Sequence, residues 1–457
     1  MRRRLSTLLA GTVLLASCAS PAPSPTPPPP TTPAQTSVPS ASPSAGPSAT
    51  IAPSGSPSPR PSTPATAGHW VRLDDMSAPR WSFTTLELVD GRVFVVDQET
   101  CNGMSDLGGP PRPPGPTDLL EAVTGRWTPA DALNATRSGF VAVRLRDGRV
   151  LVTGGNNGWH RSYSSTKVFD PATGRWTATG LLNTARMDPV GALLADGRVL
   201  VAGGTFSEGF RDEEDFFNRT DWPDVHDLTS AEVYDPKTGR WTLTGGLNEA
   251  GSAGDAYALP DGRVLVVGHA WSSEPRDAEI YDPMRGEWSV AGNLVRLPGS
   301  ASVVLPDGSL LVIGGTTETV AADGNASYVP VATVRRFDPD TGISVDVAPL
   351  PAPRTGPVAV RLADGRVLVA GGTEVERLEP GLEAPPTAKA VLYDPARDAW
   401  VAAAPMPFAV EPGQGVLLSD GSVVVAGGTV PYEEPVTDGC PSRTPVGWAA
   451  RFIPVAP

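Results

Sequence analysis

The chain has 457 residues, 51 of them proline and 49 glycine, and its 50 acidic against 36 basic side chains leave a net charge of −14. Such a surface repels polyanions, so nucleic acid and anionic lipid are poor partners. After the first twenty residues no run of about 18 apolar residues occurs, so nothing further along is expected to span a bilayer.

In chain order, Arg2, Arg3 and Arg4 precede an apolar run from Leu8 to Ala16 that is too short for a membrane span and reads as a signal peptide over residues 1–17. The run ends in Leu15-Ala16-Ser17-Cys18, which resembles a bacterial lipobox. The resemblance implies cleavage before Cys18 and diacylation of its thiol, an anchor at the outer face of the cytoplasmic membrane or in the outer membrane. Losing the leader removes three arginines and no acids, which takes the mature chain to −17. Residues 18–68 are almost entirely Pro, Ser, Thr and Ala. They lack the apolar periodicity a core requires and predict a disordered tether, with a glycosylated stalk having the same composition. At up to about 3 Å per residue it would hold the next domain well clear of a membrane.

From residue 69 to 457 one phrase recurs: an apolar run, Asp-Gly-Arg or Asp-Gly-Ser, then a second apolar run. Its aspartates are Asp90, Asp147, Asp196, Asp261, Asp307, Asp364 and Asp420, spaced by 55 residues on average. Asp-Gly between β-rich runs such as 140–143 and 150–152 predicts a hairpin. A second hairpin follows in most units, with an aromatic before Asp-Pro and a Trp beyond the turn. Examples are Phe169-Asp170-Pro171 with Trp176, Tyr234-Asp235-Pro236 with Trp241, Tyr281-Asp282-Pro283 with Trp288, and Tyr393-Asp394-Pro395 with Trp400. In the fifth unit Phe337-Asp338-Pro339 is followed by Ile343 at the expected Trp place. These tryptophans, with Trp127, are expected in the core. Four short strands per unit, repeated seven times, read as propeller blades.

With Gly pairs closing the second strand at 154–155, 203–204, 314–315, 371–372 and 427–428, the sequence resembles the kelch family over its whole repeated part. The first and fourth units depart, with Asp97-Gln98 and Gly268-His269. The resemblance implies an all-β, seven-bladed kelch-type propeller related to the central domain of galactose oxidase. The lone strand His69-Trp70-Val71 and the final 450–454 each supply what the other lacks, so the N-terminal strand is expected to complete the last blade and remove free edges.

In such a ring the Asp-Gly and Asp-Pro turns share one face, and the longer connections crowd the other, where ligands are expected. The longest runs from Thr205 to Thr229 and includes Phe210 and Trp222. Arginines stand ten residues before the hairpin Asp in four units, at Arg80, Arg137, Arg186 and Arg354, with Gly251, Leu297 and Val410 in the others. Kelch proteins commonly carry Arg here. It either grips acidic ligand groups or bonds backbone carbonyls between blades, and both roles stay open. Trp159, His160, Tyr163 and Trp271 join the candidate contacts, the alternative being that they cover loop bases. His269, a Gly replacement, faces the same choice between ligand and packing. Asp215, Asp221, Asp224 and Asp227 fit no calcium-loop template and read as a solvated acidic loop.

Related propellers include copper-radical galactose oxidases and sialic-acid mutarotases, but the four histidines are scattered and form no Tyr-His pair. No catalytic residue, metal or cofactor is assigned. The reading is an anchored extracytoplasmic module, a monomer, that binds a glycan, peptide or protein of the cell envelope or exterior. The alternative is a glycosidase or mutarotase using mouth carboxylates and arginines. Cys101 and Cys440 follow the second strands of the first and seventh units, which ring closure makes neighbours. They are expected to form a disulfide.

Overall fold

A computed structural model describes residues 67–80, 82–97, 117–133, 137–157, 161–209, 224–251, 253–268, 277–294, 296–320, 326–374, 385–431 and 443–455. Cys18, the tether up to residue 66, Cys101 and Cys440 lie outside them, and Gly68, expected to end the tether, is instead the first residue of a strand. Every element of the described residues is a strand. The first blade is a four-stranded antiparallel sheet of Phe83–Glu87, Val93–Asp97, Thr117–Glu121 and Arg126–Ala130. Blades two to six repeat it over 138–178, 190–244, 253–293, 301–346 and 358–402.

The seventh blade takes three strands from 411–454, and its outer strand is Gly68–Arg72 paired antiparallel with Ala449–Pro454. Trp70 sits opposite Phe452 with ring centroids 5.1 Å apart, and its indole N–H donates to Ala404 C=O of the sixth blade at 2.8 Å. The predicted closure is therefore present.

Each inner hairpin turns in the same way. Leu88 N–H donates to Arg92 C=O and Gly91 N–H to Leu88 C=O, a type I turn completed by a residue with positive φ. The seven turn glycines have φ between 81° and 90°, where a side chain would be strained, and the Asp carboxylate before each accepts a backbone N–H two residues on. The residue that opens the turn is Leu in all seven blades and is buried each time, for example Leu88, Leu145 and Leu194.

Seven apolar clusters fill the seven seams, each drawn from two adjacent blades. The second strands supply their centre because both faces are covered, so they read as unbroken apolar runs, Val199–Ala202 and Leu310–Ile313 among them. The tryptophans behave differently from the expected core residues. Only Trp241 is fully buried. The other four are half-buried and hang across a seam by the indole N–H, as Trp288 does to Gly245 C=O at 2.7 Å and Trp400 to Ala348 C=O at 2.8 Å. The fifth blade corrects the sequence register by one residue. Phe337 pairs with Ser344, just as Tyr281 pairs with Trp288, so Ser344 and not Ile343 holds the Trp position. Ile343 lies opposite Asp338 and is exposed.

The hairpin arginines latch blades together on the turn-bearing face. The Arg92 guanidinium clasps Asp90 and donates to Pro171 C=O of the next blade at 2.8 Å, and Arg263 reaches Asp340 at 2.5 Å. Where the hairpin has Ser in place of Arg, the third strand supplies the missing cation. Arg336 binds Asp307 and Ser309, and Arg451 binds Asp420 and Ser422 while also donating to Ala122 C=O of the first blade at 3.2 Å. In the Asp-Gly-Arg blades the equivalent third-strand residue is apolar instead: Val168, Val233, Ile280 and Leu392 before the aromatic, and Leu119 before Leu120 in the first blade. Hydrogen bonds to charged groups are worth about 1.5–3 kcal/mol. Arg451→Leu is thus expected to lower the urea midpoint by a comparable loss of stability, and adding Ser422→Arg to restore much of it. Equal midpoints for the double and single variants would show that the exchange is not compensatory.

Candidate functional site

The latch from Arg92 to the Asp-Pro turn of the second blade places both turn types on one face. The connections between second and third strands, and between blades, therefore emerge on the other. A groove between blades four and five opens on the turn-bearing face, but its cations are already paired, Arg263 with Asp261 and Asp340, and Arg336 with Asp307, and its Asp338 accepts the Asp340 N–H.

On the loop-bearing mouth the expected long loops begin as β-ribbons. Thr205–Ser207 pairs with Val225–Asp227, Thr316–Val320 with Ala326–Pro330, and the end of Val423–Pro431 with Arg443–Pro445. The third, fifth and seventh blades thus carry two-stranded walls.

Arg80, Arg137, Arg186 and Arg354 are all at most 3% exposed. Their guanidinium groups turn into the protein. Arg186 donates to Gly203 C=O and Ser230 C=O, both at 2.8 Å, and pairs with buried Glu232 at 3.1 Å. Arg137 donates to Gly154 C=O at 2.9 Å and to Ser165 C=O and Oγ. Arg80 meets Asp118 at 2.8 Å, and Arg354 meets Glu374 at 3.2 Å. These bonds tie the entrance of the inner strand to the second and third strands of the same blade. The arrangement gives the four arginines an architectural task.

Arg137 differs from the rest. The third-strand position that is Asp118 in the first blade and Glu232 in the third is Lys167 in the second. Its cation lies over the ring of half-buried Tyr163, 4.7 Å from the centroid, and burial lowers its pKa to about 10. Trp159, His160, Phe210, Trp222, His269 and Trp271 lie outside the described residues, as do Asp215 and Asp221. Asp224 and Asp227 are exposed, and among the described residues no three His, Cys, Asp or Glu side chains gather as a metal site would require.

The side chains the mouth does bring together come from a seam that sequence reasoning passed over. The inner strand of the fourth blade presents Asp255 and Tyr257, with a register shift between Ala253 and Asp255. Facing them, the entrance of the fifth blade contributes Arg296, Ser300 and Ser302. Arg296 pairs with Asp255, whose side chain is 49% exposed, and the Tyr257 hydroxyl donates to the same carboxylate at 3.3 Å. Burial, with the adjacent Asp255 charge, pushes the Tyr257 phenol well above its usual range, so it stays a donor. Arg296 Nε, Ser300 Oγ and Ser302 Oγ are buried without a hydrogen-bond partner among the described residues. At two other seams the same inner positions are apolar on small residues, with Val141 against Gly191 and Val358 and Val360 against Gly415, whereas Thr84 and Gln414 hold the Asp255 position in the first and seventh blades. Thr316 N–H donates to Pro298 C=O at 2.8 Å, so the fifth blade's ribbon pins the loop that carries Arg296.

The signal was present in the sequence. Counting ten residues back from Asp307 finds Leu297, and the arginine stands one residue earlier; Asp255 and Tyr257 stand where the other six blades have uncharged, non-aromatic residues.

Removing one member of a buried ion pair costs about 3–5 kcal/mol because the partner charge is stranded. Arg186→Met, which strands Glu232, is expected to lower the unfolding midpoint more than Arg137→Met, which strands no carboxylate among the described residues. The reverse order in urea melts would contradict this account.

No protein-family model matches the chain, and no curated protein matches it. Among solved structures, a novel fungal alcohol oxidase of the AA5 family, in complex with copper, aligns at 18% identity and a TM-score of 0.58, over 85% of this chain and 76% of that one. A structure named YjhT aligns at 15% identity and a TM-score of 0.47, over 73% of this chain and 99% of that one. The described residues do not fit a copper centre. His69 and His226 are exposed on separate strands of the seventh and third blades, and no third ligand joins either. Seven closed four-stranded blades make the fold of this chain a seven-bladed β-propeller, and the oxidase alignment is a likeness of that fold.

Proposed function

We propose that the protein is an exported, lipid-anchored binding module that recognises a glycan, peptide or protein at the loop-bearing mouth. The observation that carries this reading is the polar cluster of Asp255, Tyr257, Arg296, Ser300 and Ser302, at a seam where Asp255 puts a charge at an inner-strand position that is uncharged in the other six blades. Each unpartnered buried polar atom costs about 1–3 kcal/mol, so the seam is less stable than valine on glycine would make it. Such local departures are found where a surface serves a ligand. Tyr163, Trp159 and Trp271 are proposed as further aromatic contacts for the ligand.

A binding role is favoured over glycoside hydrolysis. The usual hydrolytic route requires two carboxyl groups facing one bond, and the described cluster offers Asp255 alone.

The full chain, applied to a glycan and peptidoglycan array and to a panel of glycosides, should bind saturably without turnover. Asp255→Ala with Arg296→Ala should abolish binding. Turnover that disappears on changing a single carboxylate would establish an enzyme instead. The anchor rests on Leu15-Ala16-Ser17-Cys18. Cys18→Ala should move the protein from the membrane fraction to the soluble fraction, and a wild-type protein already soluble with an unmodified Cys18 would refute the anchor.

A further inference from the structure

The cluster between blades four and five has a chemistry narrow enough to name its ligand class, given that the mouth is the binding surface. Its two ionised groups cancel, since the Arg296 guanidinium is paired with the Asp255 carboxylate, and Tyr257 is held neutral. The remaining members are hydroxyls. An anionic group would approach the half-exposed Asp255 carboxylate on a chain of net charge −14, with no unpaired cation in the cluster to receive it. A cationic group would meet Arg296 at the same place.

A neutral hydroxyl suffers neither repulsion, and it both donates and accepts. Asp255 is an acceptor only, Arg296 a donor only, and Ser300 and Ser302 are either. Their Oγ atoms have no hydrogen-bond partner among the described residues. Adjacent hydroxyls on one ligand would engage the exposed part of this set, one donating to Asp255 while its neighbour accepts from Arg296, with the buried serine hydroxyls behind them. The fifth blade's ribbon, whose base bonds the loop that carries Arg296, exposes Tyr328 at 46%, an aromatic face of the kind that covers a sugar ring.

We infer that the seam between blades four and five is a subsite for a neutral, polyhydroxylated saccharide unit, with Asp255 and Arg296 as its polar contacts and Ser300 and Ser302 behind them. The test titrates the full chain, by calorimetry, with maltotetraose, cellotetraose and mannotetraose and, in parallel, with tetragalacturonate. At least one neutral tetrasaccharide should bind saturably, with an affinity that changes less than about twofold between 50 and 500 mM salt, because no net charge is neutralised. Asp255→Asn should weaken it about tenfold, equivalent to about 1.4 kcal/mol, and Ser302→Ala by a smaller factor. Thermal melts of both variants should stay within a few degrees of the parent, which separates lost contacts from lost fold.

Preference for tetragalacturonate, or failure of all three neutral tetrasaccharides to bind, would overturn the ligand class. If Asp255→Asn and Arg296→Gln then abolish tetragalacturonate binding, the mouth still binds ligands at this seam and only the class is wrong. If neither substitution alters any binding that is detected, the seam is not the site.

Discussion

The structure depends on the pairing of the chain's first strand with its last. Seven four-stranded sheets can share seven apolar seams only if the last blade meets the first, and the last blade lacks an outer strand until residues 68–72 supply it. Without that strand, Ala449–Pro454 would be a bare edge with unpaired backbone groups, a template for association with other chains. The Trp70 indole then reaches the sixth blade, and Arg451 and the Leu73 N–H reach the first and seventh. One strand thus turns a row of blades into a ring, and the ring defines a mouth.

Much of this was legible because the repeat is written in turn chemistry. Asp-Gly at seven positions reports a backbone that needs positive φ after a type I turn, and Asp-Pro after an aromatic reports the second hairpin. Closure could be read from the two incomplete ends. The Trp position of the fifth blade was placed one residue early because Ile343 is the next apolar residue after Gly342, and hydrophobicity was allowed to outrank spacing. The buried Leu before every turn went unread, since one apolar residue beside an apolar run carries no periodic signal.

The site was less legible, for a different reason. An arginine ten residues before the hairpin Asp is visible in sequence, but its direction is not. All four are buried, and carbonyl partners turn Arg137, Arg186 and Arg354 inward as Asp118 does Arg80. The polar seam required knowing that Asp255 and Tyr257 share one face of their strand and that Arg296 of the next blade reaches Asp255, which follows from strand register and blade order and not from distance along the chain. Local motifs identify what a residue can do, and the seam decides which other residues it does it with.

The closing strand also sets an order of events. Trp70 finds Phe452 more than 380 residues later, so the earliest part of the propeller to be made has no partner until almost the last part exists. Contacts of such separation carry a loop-closure cost and form late. The blades between them can each collapse on local hairpins, but the ring has a single final step, and until it occurs the 449–454 edge is open. A chain threaded through a membrane from its N-terminus would complete that step only after its last strand had emerged, which makes the seventh blade the checkpoint at which a truncated copy is left unsealed.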